Sequence, residues 1–270
     1  MQLIDTHCHI QSVNATKGER HTRELWAKAE GLSADKLISN AVAAGVTKMI
    51  CVGCDLEDSE LAVAFVQSHP ESFASIGIHP HEAQHYAHSE EKLQKFCNLL
   101  PGNKIVAIGE CGLDYYYEHS PREAQLEVLK FQIELALQHN LPLIFHVREA
   151  FDDFWPVFDS YKGIRGVLHS FTDGTANLDK AAERGLYIGV NGIATFLKDQ
   201  AQLEVYRRVP LQNLLLETDA PFLTPTPYRG TINEPKHVGV VADFVAKLRG
   251  ESLEKVAVAT THNAHTLFGI

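Results

Sequence analysis

Eight short apolar runs, each leading through a loop into a helical pattern, predict an α/β fold, and eight such repeats favour a (β/α)8 TIM barrel. Two further observations agree. The runs are continuous rather than alternating, as parallel strands covered on both faces should be. The length of 270 residues suits such a barrel as one domain spanning residues 1–270.

The first run, LIDTH (Leu3–His7), is followed by an irregular stretch, Ile10–Ser33, and by a helical pattern near Ala34–Ala44. KMICVG (Lys48–Gly53) leads to a helix over Asp58–His69, and ASIGIH (Ala74–His79) to one over Glu90–Leu99. IVAIGE (Ile105–Glu110) precedes the clearest helix, which begins at SPREAQLEVLKFQIELALQHN. There Ser120 and Glu123 have capping-box spacing, Pro121 suits the first helical position, and Pro142 follows the end. PLIFH (Pro142–His146) precedes Glu149–Tyr161, GVLHSF (Gly166–Phe171) precedes Thr175–Arg184, and LYIGV (Leu186–Val190) precedes Gln200–Arg208. LLLETD (Leu214–Asp219) enters a proline-rich irregular segment, Ala220–Lys236. Helices over Val238–Arg249 and from Leu253 to about Phe268 complete the chain. The two irregular segments are long for a compact domain, and such loops are often functional.

The net charge of −10 argues against general adhesion to nucleic acid or to anionic membranes. It leaves room for a local cationic pocket, and it omits the charge of any bound metal. The cysteine count is odd, at five, no signal-peptide pattern precedes the first strand, and no apolar run approaches membrane-spanning length. A reducing, cytoplasmic setting is the expectation. Cys51 and Cys54 form a lone CxxC, which reads as a strand end with two small buried residues rather than as a zinc site.

In barrels of this kind the active site lies at the C-terminal ends of the strands. Strand 1 offers His7 and His9, which are two apart and so share a face, with Cys8 turned away. Strand 3 offers His79 with His81 just beyond, strand 4 Glu110, strand 5 His146, strand 6 His169 and strand 8 Asp219. Each has a bland reading alone: a hydrogen-bonded core histidine, a salt-bridge partner, a cap. Their convergence on one end favours a metal centre. Imidazole and carboxylate suit zinc, manganese, iron or magnesium. His7, His9, Glu110, His146, His169 and Asp219 exceed the needs of one tetrahedral ion. They suit a pair of divalent ions about 3.5–4 Å apart.

The motifs DTHCH, GIHPH, IGECGLDYY, PLIFHVRE, LHSF, LLLETDAPFLTP, YRGTINEP and NAHTLF appear in this order over nearly the whole chain. On these the chain resembles the TatD family of metal-dependent hydrolases, a branch of the amidohydrolase-like barrels. The resemblance implies that His7, His9, Glu110 and Asp219 hold one ion and that Glu110, His146 and His169 hold a second. It also implies deoxyribonuclease or related phosphoesterase activity. Two departures fall in loops that should border the substrate. Family members usually continue the first motif with Leu-Asp and a short loop, where this chain has Ile10, Gln11 and the stretch to Ser33. YRG at Tyr228 replaces a common HRG.

Two cations close together lower the pKa of a shared water and neutralise a phosphodiester. Asp219 is then placed to accept the water's proton or orient the nucleophile. His79 is a candidate donor to a phosphoryl oxygen. Arg229 is a candidate phosphate ligand, because its planar fork suits bidentate contact. Tyr115, with Tyr116 and Tyr117, offers a face for stacking a base. The leading expectation is hydrolysis of phosphodiesters in DNA or in small molecules, with single strands or ends preferred because the chain is acidic. Hydrolysis of small amides, lactones or esters on the same barrel is the alternative. A metal-binding protein without catalysis is a third reading, disfavoured by the intact ligand set.

Overall fold

A computed structural model describes residues 1–102 and 104–270. Eight strands form one parallel sheet in chain order. They are β1 (Leu3–Cys8), β2 (Val46–Val52), β3 (Ser72–Ile76), β4 (Ile105–Asp114), β5 (Leu143–Arg148), β6 (Gly166–Leu168), β7 (Tyr187–Val190) and β8 (Leu214–Leu216). The seam between β8 and β1 is drawn together past the end of β8. Cys8 bridges Ala220 in parallel, His9 N donates to Ala220 O (2.8 Å), and Asp219 N donates to His7 O (2.8 Å). Thr6 Oγ1 adds a bond to Leu216 O at 3.0 Å.

Ten α-helices lie among the described residues: α1 (Arg20–Trp26), α2 (Ala34–Ala43), α3 (Leu56–Ser68), α4 (Glu90–Leu99), α5 (Arg122–Gln138), α6 (Phe151–Asp159), α7 (Thr175–Glu183), α8 (Gln200–Arg208), α9 (Val238–Arg249) and α10 (Leu253–Phe268). Side-chain caps start many of them, among them Ser33, Ser89 and Ser252, whose oxygens accept the backbone N–H three residues on.

Two apolar layers follow from strand alternation. Leu3, Cys8, Ile108, Cys111, Leu113, Phe145, Leu168 and Leu216 join the layer shared with the helices. Ile4, Ile50, Val52, Ala107, Ile144, Val167 and Leu215 form an inner layer, into which Leu267 and Phe268 of α10 pack. The inner layer is a filled core below the strand tops, so chemistry is confined to the mouth above it.

Some expectations shift. β6 and β8 stop at Leu168 and Leu216, so His169 and Asp219 stand beyond their strands, as does His79 beyond β3. β4 instead runs on to Asp114. The stretch 10–33, expected to be irregular, contains a 3-10 turn at Ile10–Ser12 and helix α1. Trp26 explains this: it is buried, and its Nε1 donates to His9 O at 2.9 Å, which ties α1 to the barrel top. The capping box at Ser120 does not form, and Pro121 is the N-cap of α5. Ser120 Oγ instead donates to His81 O (2.7 Å) and accepts from Gln84 N (3.0 Å), so a tertiary contact outbids the local one. All five cysteines are free thiols, and Cys51 and Cys54 are buried. Among the described residues no helix is long and apolar enough to cross a membrane.

Candidate metal centre

Two strands reach the centre by breaking alternation. On β1, Ile4 faces the inner layer while Cys8 joins the outer one, a phase that strict alternation forbids. The pairing with β2 shifts register between Asp5 and Cys8, which turns His7 and His9 inward. On β4, Ile108 and Cys111 both face outward, and the pairing with β5 shifts register between them. That reset places Glu110 on the inner face. β5 and β6 keep regular phase: Ile144 is followed inward by His146, and Val167 by His169. Asp219 follows β8 in a left-handed conformation, φ 60°, which Asp tolerates better than most residues.

Glu110 is the hub. Its Oε1 lies 3.0 Å from His146 Nδ1, 3.6 Å from His79 Nε2 and 3.9 Å from His169 Nε2, and its Oε2 lies 3.5 Å from His7 Nε2. Asp219 Oδ1 is shared by His9 Nε2 (3.3 Å), His7 Nε2 (3.6 Å) and His169 Nε2 (3.9 Å). The rings of His7 and His169 stack at 3.5 Å. His7, His9 and Glu110 bring ligand atoms within 4.8 Å of one another, as do His7, His169 and Asp219, and His79, Glu110 and His146. The six expected ligands thus meet at one place. His146 groups with His79 and Glu110 rather than with His169.

The donors fit divalent cations. His7 is fully buried, yet neither of its ring nitrogens has a hydrogen-bond partner among the described residues. Leaving such a group unsatisfied costs about 1–3 kcal/mol, which a cation would relieve. Burial, and then the neighbouring His169, lower its proton affinity, so the ring is neutral as a ligand must be. Burial raises Glu110 and Asp219, but the surrounding histidines outweigh it and keep both ionised. Burial likewise opposes protonation of His9, His146 and His169. The facing carboxylates outweigh it and lift them to about 9, 9 and 10. Protons and cations compete for these nitrogens, so metal binds more tightly as pH rises.

His9 and His146 are hydrogen-bonded from behind, and His169 is ion-paired there. His9 Nδ1 donates to Val52 O (2.9 Å), leaving Nε2 for the centre. His146 Nε2 lies 2.9 Å from Asp114 Oδ2, which also takes His81 Nε2 at 3.1 Å. His169 Nδ1 lies 2.9 Å from Glu217 Oε1, and that oxygen accepts Ser170 N at 2.7 Å. Two glycines make room. A Cβ on Gly112 would fall 1.8 Å from His146 O, and one on Gly189 would fall 2.4 Å from Glu217 Oε2. Asp114 and Glu217 are absent from the residues singled out by sequence. The signal was there: each lies an even number of residues from an expected ligand, Asp114 four after Glu110 and Glu217 two before Asp219.

His79 caps the turn Pro80–His85, its Nδ1 accepting His81 N at 3.2 Å. Burial holds it well below the usual histidine range. A neutral ring that accepts at Nδ1 carries its proton on Nε2, the nitrogen facing Glu110. Cys54 Sγ is buried 3.8 Å from Glu110 Oε2 and brings its sulfur within 4.8 Å of ligand atoms of His9 and Asp58, a grouping that does not include Cys51. The segment after β1 lies against the His9 side: Gln11 and Ser12 donate to Asp58, and His21 stacks on Phe222, which stands edge-on to His9.

Among the described residues, no side-chain hydrogen bond, ion pair or ring contact links Tyr115 or Arg229 to the six. Tyr115 Oη donates to Asp153 at 2.8 Å beneath the Arg122 guanidinium. Arg229 donates to Thr224 O at 2.9 Å and lies over Phe196.

Histidines and carboxylates gathered at the strand tops of a (β/α)8 barrel define the class of metal-dependent barrel hydrolases. The family described as TatD related DNase matches residues 4–269, and the chain belongs to it. It is 34% identical over 270 residues to YabD of Bacillus subtilis, an uncharacterized metal-dependent hydrolase, covering 99% of each chain. It is also 34% identical to a protein of Enterobacter lignolyticus named 3'-5' ssDNA/RNA exonuclease TatD, covering 87% of this chain and 93% of that one. The crystal structure of YJJV, a TatD homolog from Escherichia coli, superposes with a TM-score of 0.85 at 28% identity, over 99% of this chain and 98% of that one. The protein is a TatD-type metal-dependent hydrolase.

Proposed function

We propose that the protein cleaves phosphodiester bonds in DNA, acting on single strands or ends, with two divalent cations held by His7, His9, Glu110, His146, His169 and Asp219. The observation that carries this reading is Glu110, a buried carboxylate approached by four imidazoles, beside Asp219, approached by three. That is more ligand than one ion uses. Support for the substrate comes from the relatives named as single-strand exonucleases. The net charge of −10 disfavours tracking along long duplex.

Bound divalent cations supply water activation near neutral pH and offset the charge of a phosphodiester. The chain's own groups do the rest. Asp219, kept ionised, accepts the proton of the attacking water at its carboxylate. His79 donates from Nε2 to a phosphoryl oxygen. Asp114 and Glu217 hold His146 and His169 in one orientation, and Val52 O does so for His9. Arg229 and Tyr115 remain outer candidates for substrate contact.

The test is to reload metal-free protein with one metal at a time and assay single-stranded and duplex oligonucleotides, small phosphodiesters, lactones and amides. Metal-dependent cleavage of single strands is the expected result. Turnover of lactones or amides with no cleavage of any phosphodiester would overturn the reading.

A further inference from the structure

β5 carries a second position at the mouth. Phe145 and Val147 pack toward the outer layer and Ile144 toward the inner one, so His146 and Arg148 share the inner face. Arg148 is paired in register with Asp114. It stands two residues beyond His146, about 6.6 Å farther up the strand.

Arg148 differs from every other arginine among the described residues. Arg20, Arg122, Arg184, Arg207, Arg208 and Arg249 donate to carboxylates. Arg23, Arg165 and Arg229 donate to carbonyls. Arg148 has no hydrogen bond or ion pair from its side chain among the described residues. Its guanidinium lies instead 4.1 Å from the ring of Tyr116 and 4.8 Å from that of Tyr117. Contact with ring faces uses the cation's charge but not its in-plane N–H donors, which stay available as a fork.

The platform under it is built in. Tyr116 N and Tyr117 N both donate to Asp114 Oδ1, at 3.0 and 2.9 Å. The other oxygen of that carboxylate holds His146. One buried carboxylate therefore fixes a ligand of the centre and the turn that seats the free cation. The two tyrosines are half exposed, at 53% and 50%, and Arg148 is partly exposed, so the cation borders solvent.

We propose that Arg148 binds a phosphate next to the scissile one in a single-stranded nucleic acid, by a bidentate contact from its seat on Tyr116 and Tyr117. The assignment rests on the phosphodiesterase reading above. It makes the enzyme prefer a strand with a neighbouring phosphate over an isolated diester.

The experiment compares a single-stranded oligodeoxynucleotide with bis(p-nitrophenyl) phosphate, a diester lacking any neighbouring phosphate. Metal-loaded wild type, Arg148→Ala, Arg148→Lys and the control Arg165→Ala are assayed, with metal content and melting temperature recorded for each. For Arg148→Ala the ratio of kcat/KM, oligonucleotide over small diester, should fall at least about tenfold, mainly through KM. The slope of log kcat/KM against log salt should become shallower by about 0.7, the share of one phosphate contact on a single strand. Arg148→Lys should restore the salt slope but not the whole ratio, because an ammonium lacks the fork. Arg165→Ala, which removes a cation near the start of β6, should move neither. A folded, metal-replete Arg148→Ala protein with wild-type ratio and salt slope would overturn the assignment. Wild type that cleaves small diesters but no oligonucleotide would instead overturn the nucleic-acid reading, and Arg148's role with it.

Discussion

At the end of β1, His7 and His9 face the centre because the strand slips register, and among the described residues no carboxylate stands behind their rings. Among the described residues the His7 ring has no hydrogen-bond partner, and the His9 ring has a backbone carbonyl. On β5 and β6, His146 and His169 face the centre by ordinary alternation, and each has a carboxylate behind it, Asp114 and Glu217. The difference separates two jobs. A carbonyl selects the tautomer of a ring, whereas a carboxylate also raises its donor strength. The β5–β6 half should therefore depend on residues outside the ligand set, and the β1 half should depend on backbone shape.

Glu110 belongs to both halves, so Glu110→Gln should have the largest effect. An amide offers no net charge to the four imidazoles around it, and loss of turnover at or beyond about 10⁴-fold is expected, the top of the range for a positioned ionisable group. Metal analysis alongside kinetics checks it: two retained ions with wild-type turnover would remove Glu110 as the bridge.

Asp219→Asn comes next. Asp219 touches His7, His9 and His169, and so spans the halves without being the hub. Turnover should fall by about 10²–10⁴-fold with at least one ion retained, and the loss should lie in kcat. Near-normal turnover in metal-replete protein would reduce Asp219 to an outer support.

Asp114→Asn and Glu217→Gln put the comparison itself at risk. Each should weaken metal binding by about 10–100-fold, read by titrating zinc or manganese into metal-free protein. Trp26→Phe, the nearest matching change on the β1 side, removes the bond to the carbonyl of His9 and part of a buried ring. It should cost about 1–3 kcal/mol of stability and leave metal affinity within a few-fold. Equal losses of affinity in all three variants would erase the distinction between the halves.

The smallest effect concerns the outer brace of the seam. Asn233 Nδ2 donates to Thr218 O at 2.9 Å, and His237 Nδ1 lies 2.9 Å from Asn233 Oδ1. Burial first, and Lys236 second, push His237 down from 6.5 to about 4. Between those values the unfolded chain takes up a proton that the native ring refuses, so stability rises with pH across the window and is lost as pH falls through it. Melting temperature against pH should flatten over that interval in His237→Gln. An unchanged slope would show that the ring does not contribute.

Much of this architecture is written locally. Apolar runs eight times over, with capping residues before helical patterns, are properties of neighbours in the chain, and the helices Glu90–Leu99, Gln200–Arg208, Val238–Arg249 and Leu253–Phe268 stand where the pattern puts them. The convergence of His7, His9, Glu110, His146, His169 and Asp219 was legible for the same reason: each closes an apolar run or lies just past one, and a barrel brings all such ends to one face. Tertiary structure alone decided the rest. The phase resets before His7 and Glu110 arise from pairing with β2 and β5, strands far away in sequence. Ser120 left its local cap for His81 because burial made the tertiary bond available. Asp114, Glu217 and Arg148 acquired their places from the β4–β5 register and from Ser170 and Asn191, which donate to the Glu217 carboxylate just past β8. A residue's period in the chain sets which face it takes, but what waits on that face is set by the strand beside it.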